Sequence, residues 1–521
     1  MKLAFLLLPV FACAVEIGPV VTVTGGQIRG RSTPDGGAAF KGVPYARPPL
    51  GGLRWREPQP VAAWTGIREA GSFSAACTQL SEGWNIRSVQ GSGEDCLYLN
   101  VAAPVWPPAA KVPAMVWIHG GSNTAGSGEA AGFDQRTLVR HGLVLVTINY
   151  RLGALGFLAH PALARESAHH ASGNYGLMDQ IAALQWVRKN IATFGGDPER
   201  VTVAGQSAGA MDVSLLMTSP LARGLFRGAI AESGAVSIFN GSRTRGEAEE
   251  LGKKLAAKLK APDGDAIARL RQVQPVEILE AAKRATGGDR TGLETSVDGW
   301  VLPKPPAEVF AAGRSAAVPL LIGSTAQEIG GNESAAKIGT AIQRAYGRLA
   351  DRALALYGLA GGGEGKPDSL YGGPGVQWPT DEVFRCPVVA EAVAHAGAGQ
   401  TTYQYGLDHG APDRPANHGM GHSAELNYVF GTWGSDVQLT PIDRKIAEQM
   451  QSYWANFVLA GDPNGEGLPS WPRFAVKERK YIAFTDDGAV VKTGLRREFC
   501  EVFIEHLQAG ARREAVPQQR P

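Results

Sequence analysis

The chain is expected to adopt an α/β fold, and three stretches carry that expectation: residues 201–209, 115–122 and 319–328. In the first, Val201, Thr202 and Val203 are a β-branched run leading into Gly205, Gln206, Ser207, Ala208 and Gly209. Residues 208–217 then have helical spacing and stop before Pro220, so a strand hands over to a helix across a tight turn. In the second, the apolar run from Met115 to Ile118 enters His119, Gly120, Gly121 and Ser122. In the third, residues 319–324 read as a strand entering a loop that carries Glu328. All three leave their side chains at the carboxyl edge of a sheet, where open α/β folds bind ligands.

Ser207 is the residue to explain. Glycines on both sides are needed where a serine sits on a strained strand-to-helix turn, because a side chain there meets the neighbouring strand or helix. With 67 Gly in the chain, a Gly-x-Ser-x-Gly run arises by chance about 0.4 times, so the context decides. The Gly120, Gly121 and Ser122 loop supplies it as an oxyanion loop. The N–H groups of Gly121 and Ser122, joined by that of Ala208 after the serine, are expected to face the oxygen that gains charge in a tetrahedral intermediate. A base and an acid should follow in the order Ser, acid, His. Of the later histidines His395, His409, His418, His422 and His506, His422 is the preferred base, because His409 and His418 lie in a Gly/Pro-rich loop. Glu328 is the preferred acid. Its rival Asp298 reads more simply as a turn aspartate before a short strand.

On these and further landmarks the chain resembles the type-B carboxylesterases, the cholinesterase-like branch of the α/β-hydrolases. The landmarks are residues 40–49, 94–101, 149–157, 173–180 and 194–198, in family order across most of the chain. The resemblance implies an α/β-hydrolase fold, with a central, mostly parallel twisted sheet, helices on both faces, and large helical and loop insertions over the site. It implies hydrolysis of carboxylic esters through an acyl-enzyme on Ser207, with His422 as general base and acid and Glu328 orienting His422. It further pairs Cys77 with Cys96 and Cys386 with Cys500, and Arg54 with Glu94 and Arg151 with Asp179. Two positions depart from the family pattern: Gln206 stands where Glu is usual, and Ser122 where a third glycine is usual. The first removes a negative charge beside the nucleophile and argues against a cationic alcohol. Trp84, in the loop that carries a cation-binding tryptophan in cholinesterases, is accordingly expected to be an apolar wall or simple loop packing. Short to medium acyl chains on uncharged alcohols are the expected substrates. The alternatives are a non-catalytic binding or adhesion relative, a lipase, or an aryl esterase of the feruloyl type.

The remaining features bound this reading. With 51 basic and 49 acidic residues among 521, the chain gives no reason to expect nucleic acid as a partner. A mean hydropathy of −0.11 suits a soluble core. Residues 244–285 and 335–357 read as helices covering the site, residues 358–379 as a surface loop, and residues 15–510 as one catalytic domain. Residues 511–521 read as a frayed tail. Met1 to Ala14 reads as a secretory leader too short to span a membrane, with residues 10–13 near a lipobox, so a secreted, periplasmic or lipid-anchored protein is expected. Cleavage after Ala14 removes Cys13 and leaves four cysteines, an even number that suits an oxidising compartment. No metal or cofactor is implied, for there is no His-Glu-x-x-His, no close Cys or His cluster and no dinucleotide fingerprint.

Overall fold

The computed structural model describes residues 18–129, 133–134, 136–236, 242–261, 264–287, 295–410, 421–435 and 437–514. The leader, the lipobox, Cys13 and His418 lie outside them. The architecture is the expected one: an 11-stranded, mostly parallel sheet with helices on both faces. Its strands are β1 Arg31–Ser32, β2 Ala38–Pro44, β3 Tyr98–Ala103, β4 Val112–Ile118, β5 Val144–Ile148, β6 Gly196–Gln206, β7 Gly228–Glu232, β8 Leu320–Thr325, β9 Thr402–Leu407, β10 Lys480–Thr485 and β11 Gly488–Thr493. The spatial order is β11-β10-β9-β8-β7-β6-β4-β5-β3-β2-β1. From β5 to β10 every neighbouring pair is parallel, and both edges are antiparallel.

The central strands are mostly apolar where both of their faces are covered. In β4, Val116 and Ile118 face one core while Met115 and Trp117 face the other. The first core is closed by helices α1 Tyr175–Asn190 and α2 Ala208–Thr218, through Ile181, Leu184, Val187 and Val213. The second is closed by α3 Pro441–Ala460, whose Ile446, Met450, Tyr453, Trp454 and Phe457 recur at helical spacing. A capping box between Thr440 and Asp443 starts α3, and Gly461 in the left-handed region ends it.

Residues 244–285 are helical over Arg245–Lys258, Ala266–Leu270 and Pro275–Ala285, and residues 335–357 over Ala335–Tyr346 and Ala350–Leu356. The expected loop at 358–379 is a loop only in part. Its last residues belong to the helix Pro374–Thr380, for which Pro374 supplies the preset φ of a first helical residue. The expected frayed tail at 511–521 begins as helix, since Arg497–Glu514 is continuous. Asp298 is a turn residue that accepts the N–H groups of Trp300 and Leu302 at 2.9 and 3.0 Å, but the short strand Ser296–Val297 precedes it rather than follows.

Two ion pairs form as expected, Arg54 with Glu94 at 2.5 Å, partly buried, and Arg151 with Asp179 at 2.7 Å, buried. Disulfides join Cys77 to Cys96 and Cys386 to Cys500. The second lies in a separate apolar cluster with Ile342, Tyr346, Leu354 and Phe503. Their sequence separations of 19 and 114 residues correspond to about 3 and about 5 kcal/mol of loop-closure entropy. Replacing Cys386 and Cys500 by alanine is therefore expected to lower the melting temperature more than replacing Cys77 and Cys96, as measured by calorimetry of the two double variants.

Candidate active site

Four strand ends build the site. Ser207 follows β6, the loop from His119 follows β4, Glu328 follows β8 and His422 lies beyond β9, so all four reach the same carboxyl edge. Ser207 adopts φ 58° and ψ −126°, a conformation L-residues avoid, between the end of β6 and the first residue of α2. The turn closes because its flanking residues lack side chains. A Cβ on Gly205 would stand 2.5 Å from the carbonyl of Gly209 and 2.8 Å from that of Ile118. One on Gly209 would stand 2.9 Å from the His119 carbonyl and closer still to that of Ile118. The glycine requirement thus arises from β4 and from the turn's own helix.

Ser207, His422 and Glu328 form one hydrogen-bonded chain. His422 Nε2 lies 2.8 Å from Ser207 Oγ, and Nδ1 lies 2.6 Å from Glu328 Oε2. The other Glu328 oxygen accepts the Thr325 N–H at 2.7 Å, and the His422 N–H donates to the Glu328 carbonyl at 3.0 Å. The carboxylate is therefore fixed at both oxygens, and with Nδ1–H given to Glu328 the free lone pair of Nε2 faces the serine hydroxyl. Phe384 packs against the imidazole, with ring centroids 4.6 Å apart. Burial alone would push the imidazolium of His422 down. The hydrogen bond and charge of Glu328, with the charge of Glu425, outweigh it and hold the group above its ordinary value. Glu425 is itself buried and pushed up by desolvation and by Glu328. An imidazole so placed can take a proton from the serine and hold it.

The loop after β4 presses against the serine turn. A Cβ on Gly120 would stand 2.6 Å from the Gln206 carbonyl and 2.9 Å from Ser207 Cβ. Gly121 has φ 102°, and Ser122 and Asn123 have φ 55° and 53°, a left-handed run that turns the chain back. Ala208 is the first residue of α2, so its N–H is one of those that helix geometry leaves unbonded. The Gln206 amide lies 3.5 Å from His422 Nε2. Trp84 is 64% exposed, with its ring tip against Gly121, at the open side of the loop.

Of the other histidines, His395 is buried and bonds the Val318 carbonyl, and His409 is clamped between Asp443 and Asp486. Sequence reasoning missed three groups around the site: Glu425, Asp212 and Asn123. Asp212 carried a signal, as an acidic residue in an otherwise apolar helix five positions after Ser207. It is fully buried, and desolvation pushes its carboxyl up to about 7 against the hydrogen bonds of Gln180 and Asn123.

The Carboxylesterase family model matches residues 17–354 and 375–503. Over 461 residues the chain is 36% identical to a fumonisin B1 esterase of Sphingopyxis macrogoltabida, covering 84% of this chain and 81% of that protein. It is 33% identical to a para-nitrobenzyl esterase of Bacillus subtilis (strain 168), covering 89% of this chain and 94% of the relative. A solved PNB esterase superposes with TM-score 0.79 at 31% identity, over 93% of this chain and 99% of that one. A Geobacillus stearothermophilus carboxylesterase gives 0.78 at 32%, over 92% and 98%.

The contacts at Gly209 lead to a direct expectation. Gly209→Ala should destabilise the protein by about 3 kcal/mol through backbone overpacking and reduce turnover of p-nitrophenyl acetate below about 1% of wild type, read by melting curves and initial rates.

Proposed function

The chain belongs to the carboxylesterase family and is a carboxylic ester hydrolase, and we propose that it works through an acyl-enzyme on Ser207. The observation that carries this reading is the chain of bonds from Ser207 Oγ through the His422 ring to Glu328. His422 takes the hydroxyl proton as Ser207 Oγ attacks the ester carbonyl, and the carbonyl oxygen becomes the oxyanion. The N–H groups of Gly121, Ser122 and Ala208 receive that charge, with Gly120 letting the loop lie against the serine turn. As the tetrahedral intermediate collapses, the carbon–oxygen bond to the alcohol breaks and the imidazolium protonates the leaving alkoxide. Water then repeats the cycle on the acyl-enzyme and releases the acid. Glu328 holds the imidazole in the productive tautomer and stabilises its charged form, a task that requires a carboxylate.

Gln206 and Trp84 together support an uncharged alcohol. Gln206 brings an amide rather than a charge to the imidazole, and the exposed Trp84 ring offers an apolar wall beside the loop. Short to medium acyl chains fit this reading. Residues 15–510 are proposed to act as one catalytic domain. Among the described residues no helix is long and apolar enough to cross a membrane. The two disulfides support an oxidising compartment, secreted or periplasmic.

The deciding experiment is pre-steady-state kinetics with p-nitrophenyl esters of increasing chain length. A burst of p-nitrophenol is expected, together with loss of turnover by at least about 10⁴-fold in Ser207→Ala. Turnover surviving in that variant would overturn the acyl-enzyme assignment, and a folded wild type inert towards every ester would favour a binding role.

The acid limb of kcat/KM follows from His422. The base must be neutral, so activity falls as pH drops through its folded pKa, and a pKa held above 6.5 puts the midpoint above that value. Glu425→Gln removes a charge that favours the imidazolium, so the limb should move to lower pH in a pH–rate profile. A midpoint at or below 6.5 in the wild type, or no movement in the variant, contradicts this.

A further inference from the structure

We infer that Asp212 is a positioning residue, which through Asn123 locks the loop after β4 to the helix that carries the nucleophile. The inference rests on the proposed role of that loop as oxyanion donor. Asp212 lies on α2, and the first N–H of that helix, at Ala208, is one of the three proposed donors. The other two, at Gly121 and Ser122, lie on a separate segment. Nothing in the covalent chain fixes their distance from Ala208. The Asn123 side chain makes that connection. Its amide nitrogen donates to Asp212 Oδ1 at 3.1 Å, and its oxygen accepts the Tyr150 hydroxyl at 2.9 Å. The His119 carbonyl lies 2.8 Å from the same hydroxyl, so the single Tyr150 proton is shared between the start of the loop and its turn.

The need for such a lock is visible in the backbone. Ser122 and Asn123 are consecutive non-glycine residues in the left-handed region, at φ 55° and 53°. L-residues leave that region unless surrounding contacts hold them there. Asn tolerates it better than most side chains, and here its amide is bonded at both ends. Asp212, Asn123, Tyr150 and Gln180 are all buried, so water does not compete for these bonds.

The second Asp212 oxygen accepts Gln180 Nε2 at 2.5 Å. Gln180 Oε1 has no hydrogen-bond partner among the described residues. The Gln180 amide can therefore reverse and accept a proton from Oδ2 while Oδ1 still accepts from Asn123. The lock thus needs an acceptor facing Asn123 and does not need a negative charge. This separates a positioning role from an electrostatic one, because a carboxamide at position 212 can make the same pair of bonds and an alanine can make neither.

The test compares Asp212→Ala, Asp212→Asn and Asn123→Ala with wild type and Ser207→Ala, each checked for folding by its melting curve. In Asp212→Ala and Asn123→Ala, kcat for p-nitrophenyl butyrate is expected to fall about 10- to 100-fold, because misplaced donors cost less than a deleted one. KM should stay within about 3-fold. Asp212→Asn should recover kcat to within about 3-fold of wild type. Affinity for an alkyl trifluoromethyl ketone, whose carbonyl adds to Ser207 and presents an oxyanion, should fall in parallel with kcat, while affinity for the matching secondary alcohol holds. A folded Asp212→Ala or Asn123→Ala with kcat within 2-fold of wild type would overturn the inference, and so would Asp212→Asn as slow as Asp212→Ala. If Asp212→Ala does not fold, Asn123→Ala and Asp212→Asn decide between the same outcomes. Turnover in Ser207→Ala would sink the serine reading itself; an inert Ser207→Ala with unimpaired Asn123→Ala sinks only the lock.

Discussion

The close approach of backbone to backbone at the ends of β4 and β6 is the constraint on which the site depends. With no side chain on Gly205 or Gly209, the carbonyls of Ile118 and His119 lie directly against the serine turn. That contact does two things together. It forces Ser207 into a conformation that projects its hydroxyl beyond the sheet edge, and it brings the loop after β4 within reach of Ser207 and Ala208. A methyl group at either glycine would part β4 from the turn, and the hydroxyl and the proposed loop donors would lose their shared geometry. The parallel register of β4 against β6, which places Ile118 beside Gly205, belongs to the same constraint. The twin apolar cores under α2 and α3 keep that register from slipping, because a one-residue shift would exchange Met115 and Trp117 with Val116 and Ile118 between them.

Polar groups buried behind this contact are arranged so that each reacting part has its own support. Glu328 is held by the Thr325 N–H and by the strand end that carries it, and it holds His422. Asp212 and Tyr150 hold Asn123 and with it the loop. Burial pushes the carboxyl groups of Glu232, Glu425 and Glu391 upward as it does that of Asp212. A carboxyl pushed up in this way sits in an apolar wall at lower cost than one that is always charged. Glu328 makes a direct hydrogen bond to the ring proposed as the base.

Much of this was legible before any coordinates. The strand, turn and helix around Ser207, the Gly120–Gly121–Ser122 loop and the strand into Glu328 are local patterns, and local patterns survive in sequence. The helices at 245–285 and 335–356 were legible for the same reason. The helix at Pro374–Thr380 was hidden by the glycines before it, which read as loop although Pro374 opens a helical turn. Asn123 and Asp212 were illegible as a pair because 89 residues separate them and neither belongs to a short motif. Their connection exists only once α2 is packed on the sheet beside the end of β4. Glu425 stood in plain sight three residues after His422, but its effect on that ring depends on burial, which sequence does not give.

Gln206 shows how a single departure in sequence redistributes work within the proposed mechanism. An acidic residue there would stand beside the serine and contribute charge to the imidazolium. The amide that replaces it lies 3.5 Å from His422 Nε2 and offers only a dipole. Stabilisation of the positive ring then falls on Glu328, in direct contact, and on Glu425, from a distance. In the proposed mechanism a leaving alcohol would meet a neutral amide at position 206 where an acidic residue would otherwise attract a cation. Charge then acts on the ring that would hold the proton and is missing at position 206, an asymmetry that supports the proposal of uncharged esters.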